Sequence, residues 1–462
     1  MILPLANDLE AGPDRIGGKA ASLLAMARLG LPVPPAFVVP TDVARTWAAT
    51  GRLPDGFAGQ LMEGVRGLEA ASGRGFGAAH RPLLLSVRSG ASVSMPGMME
   101  TLLNLGLVDQ SATGLAAETG NTAFVDALRT GFAAQFNQCV GPVPDNAEAQ
   151  LLAAVEAVMA SWNSRRARRY RAHHGIADDL GTAVTVQAMV FGNLCERSGT
   201  GVLFSRNPID GDSAPWGEWL PGAQGEALVA GTHDGQPIDA LAAALPEAHA
   251  QLLAGARALE QAGRDAQDIE FTIESGQLYF LQSRAAKRTA RAAVAIAVAL
   301  HDEGLLSRAE AVARVSPDQI AALLAPVLGD AGAAPVLASG TPASPGAGAG
   351  LAVGTAAEAE ARSAAGEPVV LVRPTTSPDD VGGMLVAMAV VTGAGGATSH
   401  AAVVGRALGK PVVTGCGADV PARLVGQPVT VCGASGRVFA GLLPLVPPPV
   451  EPALARWRAL AG

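Results

Sequence analysis

Hydrophobic and polar positions change rhythm several times along this 462-residue chain. After a Gly17-Gly18 pair, "GGKAASLLAMARLGLPVPPAFVV" spaces its apolar residues as a helix does from about Ala20 to Leu29. A Gly-Leu-Pro stop follows, and then an apolar run that predicts a strand over Ala36–Val39. "PLLLSVRSG" predicts a compact strand ending at Arg88 and Ser89. From 111 to 180 the spacing is helical, most clearly in "AQLLAAVEAVMASW", and the basic stretch "NSRRARRYRAHH" predicts a solvated helix face. "TAVTVQAMVFG" reads as a strand, and "SGTGVLFSRNPIDG" as a glycine-rich turn between two strands. "DIEFTIESGQLYFLQSR" predicts a hairpin turning at Ser275-Gly276, with Glu270 and Gln282 on opposite arms.

The helical rhythm returns from Lys287 to Leu328. Gly, Ala and Pro then dominate "GDAGAAPVLASGTPASPGAGAG", which predicts a linker, either a hinge or a passive surface loop. From about Leu351 short strands are expected at Pro368–Val372, Met388–Val391, Val412–Thr414 and Val429–Val431, with a clear helix after His400. The expected organisation is therefore α/β and α+β multidomain. It has a first domain over 1–285 in two subdomains, a helical connector and linker over 286–350, a small α/β module over 351–445, and a tail over 446–462.

Composition narrows the function classes. Apolar residues make up 49% of the chain and aromatics only 4%, so the cores are expected to be rich in small side chains. The net charge of −8 argues against a broad nucleic-acid or anionic-membrane surface, which needs a basic face. The four cysteines form no C-x-x-C pair, and reduced thiols are expected. No basic-then-apolar leader opens the chain, and no apolar run reaches the ~18 residues of a membrane span. A cytoplasmic protein is expected.

Candidate chemistry centres on "GGATSHAAVVGRALGKPVV". His400 stands at a helix start behind two hydroxyl residues and two glycines. Neutral imidazole is a competent nucleophile near pH 7 and can relay a phosphoryl group. Gly395 and Gly396 let the backbone approach a ligand, Thr398 or Ser399 can cap the helix, and the helix start favours an anion. The residues alone also admit a capping segment with an incidental histidine. Lys19, after two glycines, and Arg88, at a strand end, suit phosphate contacts, although no Walker motif is present. A helix-start turn and a surface ion pair are the blander readings. Glu270 and Gln282 offer hard oxygen ligands that Mg²⁺ accepts together with nucleotide phosphates, or are simply solvent-facing strand residues. Arg284 follows Gln282 by two residues, on the same strand face.

In combination and in this order, these segments resemble the pyruvate, phosphate dikinase family. "GGKAASLLAMARLGLPVPPAF", "LLLSVRSGASVSMPGMMETLLNLGL", "SGTGVLFSRNP", "GEWLPGAQGEALVAG" and "DIEFTIESGQLYFLQSRAAKRT" are similar to its ATP-grasp region. "HDEGLLSRAEAVARVSPDQIAALLAPVL" resembles its helical connector, and the stretch around His400 its swivelling phosphohistidine domain. "SMPGMMETLLNLGL" points to this dikinase rather than to phosphoenolpyruvate synthase. The resemblance implies ATP as substrate with Mg²⁺ as cofactor. It implies His400 as the phosphorylated residue, Lys19, Arg88 and Arg284 as nucleotide-phosphate contacts, and Glu270 and Gln282 at the nucleotide and metal. Thr398 matches a threonine that a regulatory kinase or phosphatase acts on.

Two departures go with it. The region from Leu107 to Arg171 looks shorter than the family's, and the family's pyruvate-binding (β/α)₈ barrel has no counterpart in these residues. The expected reaction is transfer from ATP, with inorganic phosphate, to His400, and onward to pyruvate on a separate barrel subunit. A different acceptor, or a nucleotide-binding regulatory homologue, are the alternatives.

Overall fold

The computed structural model describes residues 2–93, 95, 98–224, 235–324, 327–448 and 451–462. Parts of the quoted "SMPGMMETLLNLGL" and "GEWLPGAQGEALVAG" lie outside the described residues. The chain is mixed α/β and divides into two compact units. The first is Met1–Ser198 with Thr272–Ser283, and the second is Gly199–Phe271 with Arg284–Gly462.

An antiparallel sheet organises the first unit. Its strands are β1 (Leu3–Pro4), β2 (Ala36–Val39), β3 (Leu85–Gly90), β4 (Thr101–Leu105) and β5 (Ala183–Ala188), in the order β1-β2-β5-β3-β4. β5 is buried on both faces, its small and β-branched residues interrupted only by Gln187, whose amide donates to the Pro34 carbonyl at 3.1 Å. Phe37, Val87 and Val186 pack in one core with Phe132 and Phe136 of α2 (Thr122–Cys139) and Leu151, Val155 and Val158 of α3 (Ala147–Ser161). Asn121 and Asn146 cap these two helices through their side chains, each accepting from backbone N–H groups of the first turn.

The basic stretch after α3 does form a helix, Arg165–His174. Its solvated-face expectation fails at Arg171, which is 1% exposed. The Arg171 guanidinium lies 4.1 Å from the Trp162 ring centroid, donates to the Trp162 carbonyl and pairs with Asp178. A long arginine can bury its stem and stack its planar head on an aromatic face while a carboxylate balances its charge.

α1 (Pro13–Arg28) begins before the expected Ala20 start, because Pro13 suits a first helical turn. The glycine turn survives inside it as a kink at Gly17, with φ 77° and ψ 157°. A Cβ at Gly17 would stand 1.9 Å from the Gly90 carbonyl oxygen at the end of β3. Gly17→Ala is therefore expected to cost about 2–4 kcal/mol from positive-φ strain and overpacking, read as a lower urea midpoint. An unchanged midpoint would contradict that packing.

The second unit contains β6 (Gly199–Phe204), β7 (Trp216–Pro221) and β8 (Gln236–Pro237). A hairpin joins them, β9 (Gln267–Glu274) and β10 (Gln277–Ala285), in the sheet order β8-β7-β6-β9-β10. Ser275 and Gly276 form the hairpin turn with φ of 51° and 88°, the paired positive values of a two-residue turn. The connector helix α4 (Ala290–Asp302) is capped by Thr289 and buries Val294 and Ala297 against Leu454. Leu454 belongs to a helix, Pro452–Ala461, where a tail is expected from sequence.

The larger correction concerns the linker. Residues expected as a Gly/Ala/Pro linker before 351, hinge or surface loop, form β11 (Val336–Ser339), β12 (Thr341–Ser344) and β13 (Ala347–Val353). They join β14 (Val369–Arg373), β15 (Ala389–Thr392), β16 (Val412–Thr414), β17 (Pro428–Cys432) and β18 (Arg437–Ala440) in one eight-stranded sheet, ordered β11-β18-β17-β13-β14-β15-β16-β12. The glycines read as flexibility serve close packing instead. A Cβ at Gly348 would meet the Met388 carbonyl oxygen at 2.2 Å, and one at Gly350 the Pro368 oxygen at 2.5 Å. β13, β14, β15 and β16 run parallel, so their carboxyl ends and following loops lie along one edge of the module.

Candidate active site

His400 opens α5 (His400–Ala407), the helix between parallel strands β15 and β16. The loop after β14 lies beside it: Gly393 N–H donates to Arg373 O and Ala394 N–H to Pro374 O, both at 2.9 Å. This juxtaposition brings Thr376 Oγ1 to 3.1 Å from His400 Nδ1. His400 Nε2 is buried without a hydrogen-bond partner, as is Ser399 Oγ next to it. Burial pushes the His400 pKa down from the ordinary imidazole value, against the opposing pull of Asp380. The ring is thus neutral near pH 7, with one nitrogen engaged and the other without a partner. Asp380 is itself held by Arg373, at 3.0 Å, and by Ser377 N–H, at 2.8 Å.

Neither hydroxyl caps α5 as expected. Ser399 occupies the N-cap position without a side-chain cap bond, and Thr398 Oγ1 donates to Glu218 Oε2 on β7 at 2.7 Å. Beneath the loop Arg406 is 2% exposed, and its Nη1 donates to the carbonyls of Ala397 and Ala343 at 2.9 and 3.0 Å. Burial pushes the Arg406 pKa down to about 10, against the opposing charges of Asp268 and Glu218.

The other predicted residues fall into both units. In the first, Gly18 N–H donates to Ala91 O at 2.9 Å, and a Cβ at Gly90 would lie 3.3 Å from Lys19 Cβ. The kink in α1 therefore sets Lys19 beside the end of β3, the strand that carries Arg88. Gln282, on β10, also falls in the first unit. In the second, Glu270 lies on β9 and Arg284 at the end of β10, where Arg284 pairs with Asp268 at 2.8 Å. Burial works against the Arg284 charge, but Asp268 and Glu270 outweigh it and its pKa is raised. Burial pushes the Asp268 carboxyl up, and Arg284 pulls it back.

Among the described residues, no group of three or more His, Cys, Asp or Glu side chains is arranged to hold a metal ion. Glu270 and Gln282 fall in different units, and each offers an oxygen of the hard kind that Mg²⁺ accepts together with phosphate and water.

The family description "Pyruvate phosphate dikinase, AMP/ATP-binding domain" matches residues 52–243, and "PEP-utilising enzyme, mobile domain" matches residues 365–436. Pyruvate, phosphate dikinase of Rhizobium meliloti (strain 1021) is 41% identical over 94% of this chain and 57% of its own length. Pyruvate, phosphate dikinase 2 of Zea mays is 41% identical over 94% and 56%, and the Clostridium symbiosum protein 42% over 87% and 52%. The chain belongs to the pyruvate, phosphate dikinase family. It spans little more than half the length of these relatives. The mobile-domain match contains His400, Thr398 and Thr376, and the nucleotide-binding match contains Arg88 and Glu218. No helix among the described residues is long and apolar enough to cross a membrane.

Sequence reasoning missed Asp268, Thr376, Glu218 and Arg406. Asp268 was within reach, being two residues before Glu270 and so on the same strand face. Arg406 carried a weaker signal, as a lone charge inside an apolar helix pattern. Thr376 and Glu218 lie 24 and 180 residues from their partners, and no local pattern connects them.

Proposed function

We propose that this chain carries out the ATP half-reaction of a pyruvate, phosphate dikinase, with His400 as the phosphoryl carrier. The carrying observation is the state of His400: Nδ1 tied to Thr376, Nε2 buried and unpartnered, and the pKa lowered by burial. Nε2 attacks the β-phosphorus of ATP, its lone pair forming the N–P bond while the bond to the α-bridging oxygen breaks and AMP departs. Inorganic phosphate then attacks the γ-phosphorus, pyrophosphate leaves, and one phosphoryl group stays on Nε2.

Lys19, Arg88 and Arg284 neutralise phosphate charge, and positioning supplies most of the acceleration. Glu270 and Gln282 would hold Mg²⁺, which when bound supplies further charge neutralisation. Pyruvate as the onward acceptor rests on the names of the relatives. Thr398 as a regulatory phosphorylation site would place added negative charge beside His400 and repel an incoming phosphate.

ATP labelled separately at the β and γ positions tests the reading. In the presence of inorganic phosphate, β label is expected on the protein and γ label in pyrophosphate; label from γ alone would refute it. Thr376→Val is expected to slow labelling about tenfold, because the ring loses the bond that fixes its angle. Stopped single-turnover reactions read this, and an unchanged rate would remove Thr376 from the mechanism.

A further inference from the structure

The loop that carries His400 is held from two sides by charged groups. Arg406 grips the Ala397 carbonyl, one residue before Thr398. On the other side Glu218 accepts the Thr398 hydroxyl, and its two carboxylate oxygens lie 2.9 and 3.0 Å from where a Cβ at Gly396 would stand. Thr398 is 5% exposed and Ser399 is 4% exposed, so the loop is covered where it meets this carboxylate. Glycine at 396 therefore does more than permit a turn: it clears the space that the carboxylate fills. The same carboxylate opposes the burial-lowered pKa of Arg406, so one negative charge serves both the loop and the cation beneath it.

We propose that Glu218 is a positioning residue for transfer to His400. Its carboxylate seats the Gly395–His400 loop by accepting from Thr398 and filling the space over Gly396, and this fixes where Nε2 stands when the phosphoryl group arrives. The inference rests on the phosphoryl-carrier reading of His400. A hydrogen bond to a carboxylate in a covered site is a strong one, and losing it lets the loop sample other positions.

The test combines three measurements on the intact chain: amide hydrogen exchange of residues 395–400 without nucleotide, single-turnover labelling from ATP labelled at the β position, and ATP affinity by titration. Thr398→Val, which keeps shape but removes the donor, is expected to speed exchange and slow labelling roughly 10- to 100-fold with ATP affinity unchanged. Thr398→Ser restores the donor and is expected to recover most of both. Gly396→Ala is expected to act like Thr398→Val. The double variant Thr398→Val/Glu218→Ala should label no more slowly than Glu218→Ala alone, since removing the carboxylate already removes the bond from Thr398.

The proposal is overturned if Thr398→Val exchanges and labels as the unaltered chain does, or if the two single effects multiply. It is also overturned if Glu218→Ala weakens ATP binding by the factor that it slows labelling while Thr398→Val is inert, because Glu218 would then serve the nucleotide. If the exchange changes appear but the unaltered chain takes no label from ATP, the seat is upheld and the carrier reading of His400 fails.

Discussion

His400→Gln is expected to abolish labelling of the protein from ATP labelled at the β position, with ATP affinity and the urea midpoint near those of the unaltered chain. Glutamine keeps polarity and approximate length but has no basic nitrogen lone pair with which to form the N–P bond. Label that survives this substitution would assign the carrier role to another residue. The pH profile gives an independent check. About three-quarters of an ordinary imidazole is protonated at pH 6. Burial lowers the His400 pKa, so the labelling rate should fall less on going from pH 7 to 6 than the titration of an ordinary imidazole requires. A rate that falls with an ordinary imidazole midpoint would show that the ring is solvated when it reacts.

Arg284→Met has the second large effect, on stability as well as nucleotide chemistry. Asp268 is 2% exposed and relies on Arg284 at 2.8 Å. Removing one partner of a buried pair leaves an uncompensated charge, at a cost of about 3 kcal/mol. Burial already raises the Asp268 pKa, and loss of Arg284 raises it further above the unfolded value. A carboxyl whose folded pKa is raised loses stability as pH climbs from the unfolded value through the folded one. The Arg284→Met midpoint should accordingly fall further below that of the unaltered chain at pH 8 than at pH 5. Adding Asp268→Asn should recover part of the loss at pH 8. A deficit independent of pH would mean that packing of the arginine stem, rather than the pair, is what the substitution removes.

Local rules served some parts of this chain well. The Ser275-Gly276 hairpin was legible because two adjacent positive φ values need such residues, and because apolar runs flank them. The helix after His400 was legible from its spacing and its Gly-Lys-Pro stop. The same rules misread 336–353, where glycine marks close strand packing as readily as freedom; only neighbours such as Met388 and Pro368 distinguish the two. They also misassigned Thr398. A hydroxyl ahead of a helix is a good cap by local reckoning, but a carboxylate 180 residues earlier in the chain is the stronger acceptor.

By itself the sequence determined the kinds of chemistry available: a histidine on a helix start, a lysine behind paired glycines, an arginine ending a strand, and oxygen ligands on a hairpin. These follow from residue type and spacing, which are local properties. Tertiary structure alone decided which atom of His400 is engaged, which acceptor Thr398 uses, and which arginine stays charged out of water. Those outcomes depend on burial and on partners distant in sequence: Thr376 reaches His400 only once the parallel strands align their loops along one edge, and Glu218 reaches Thr398 from a strand of another sheet.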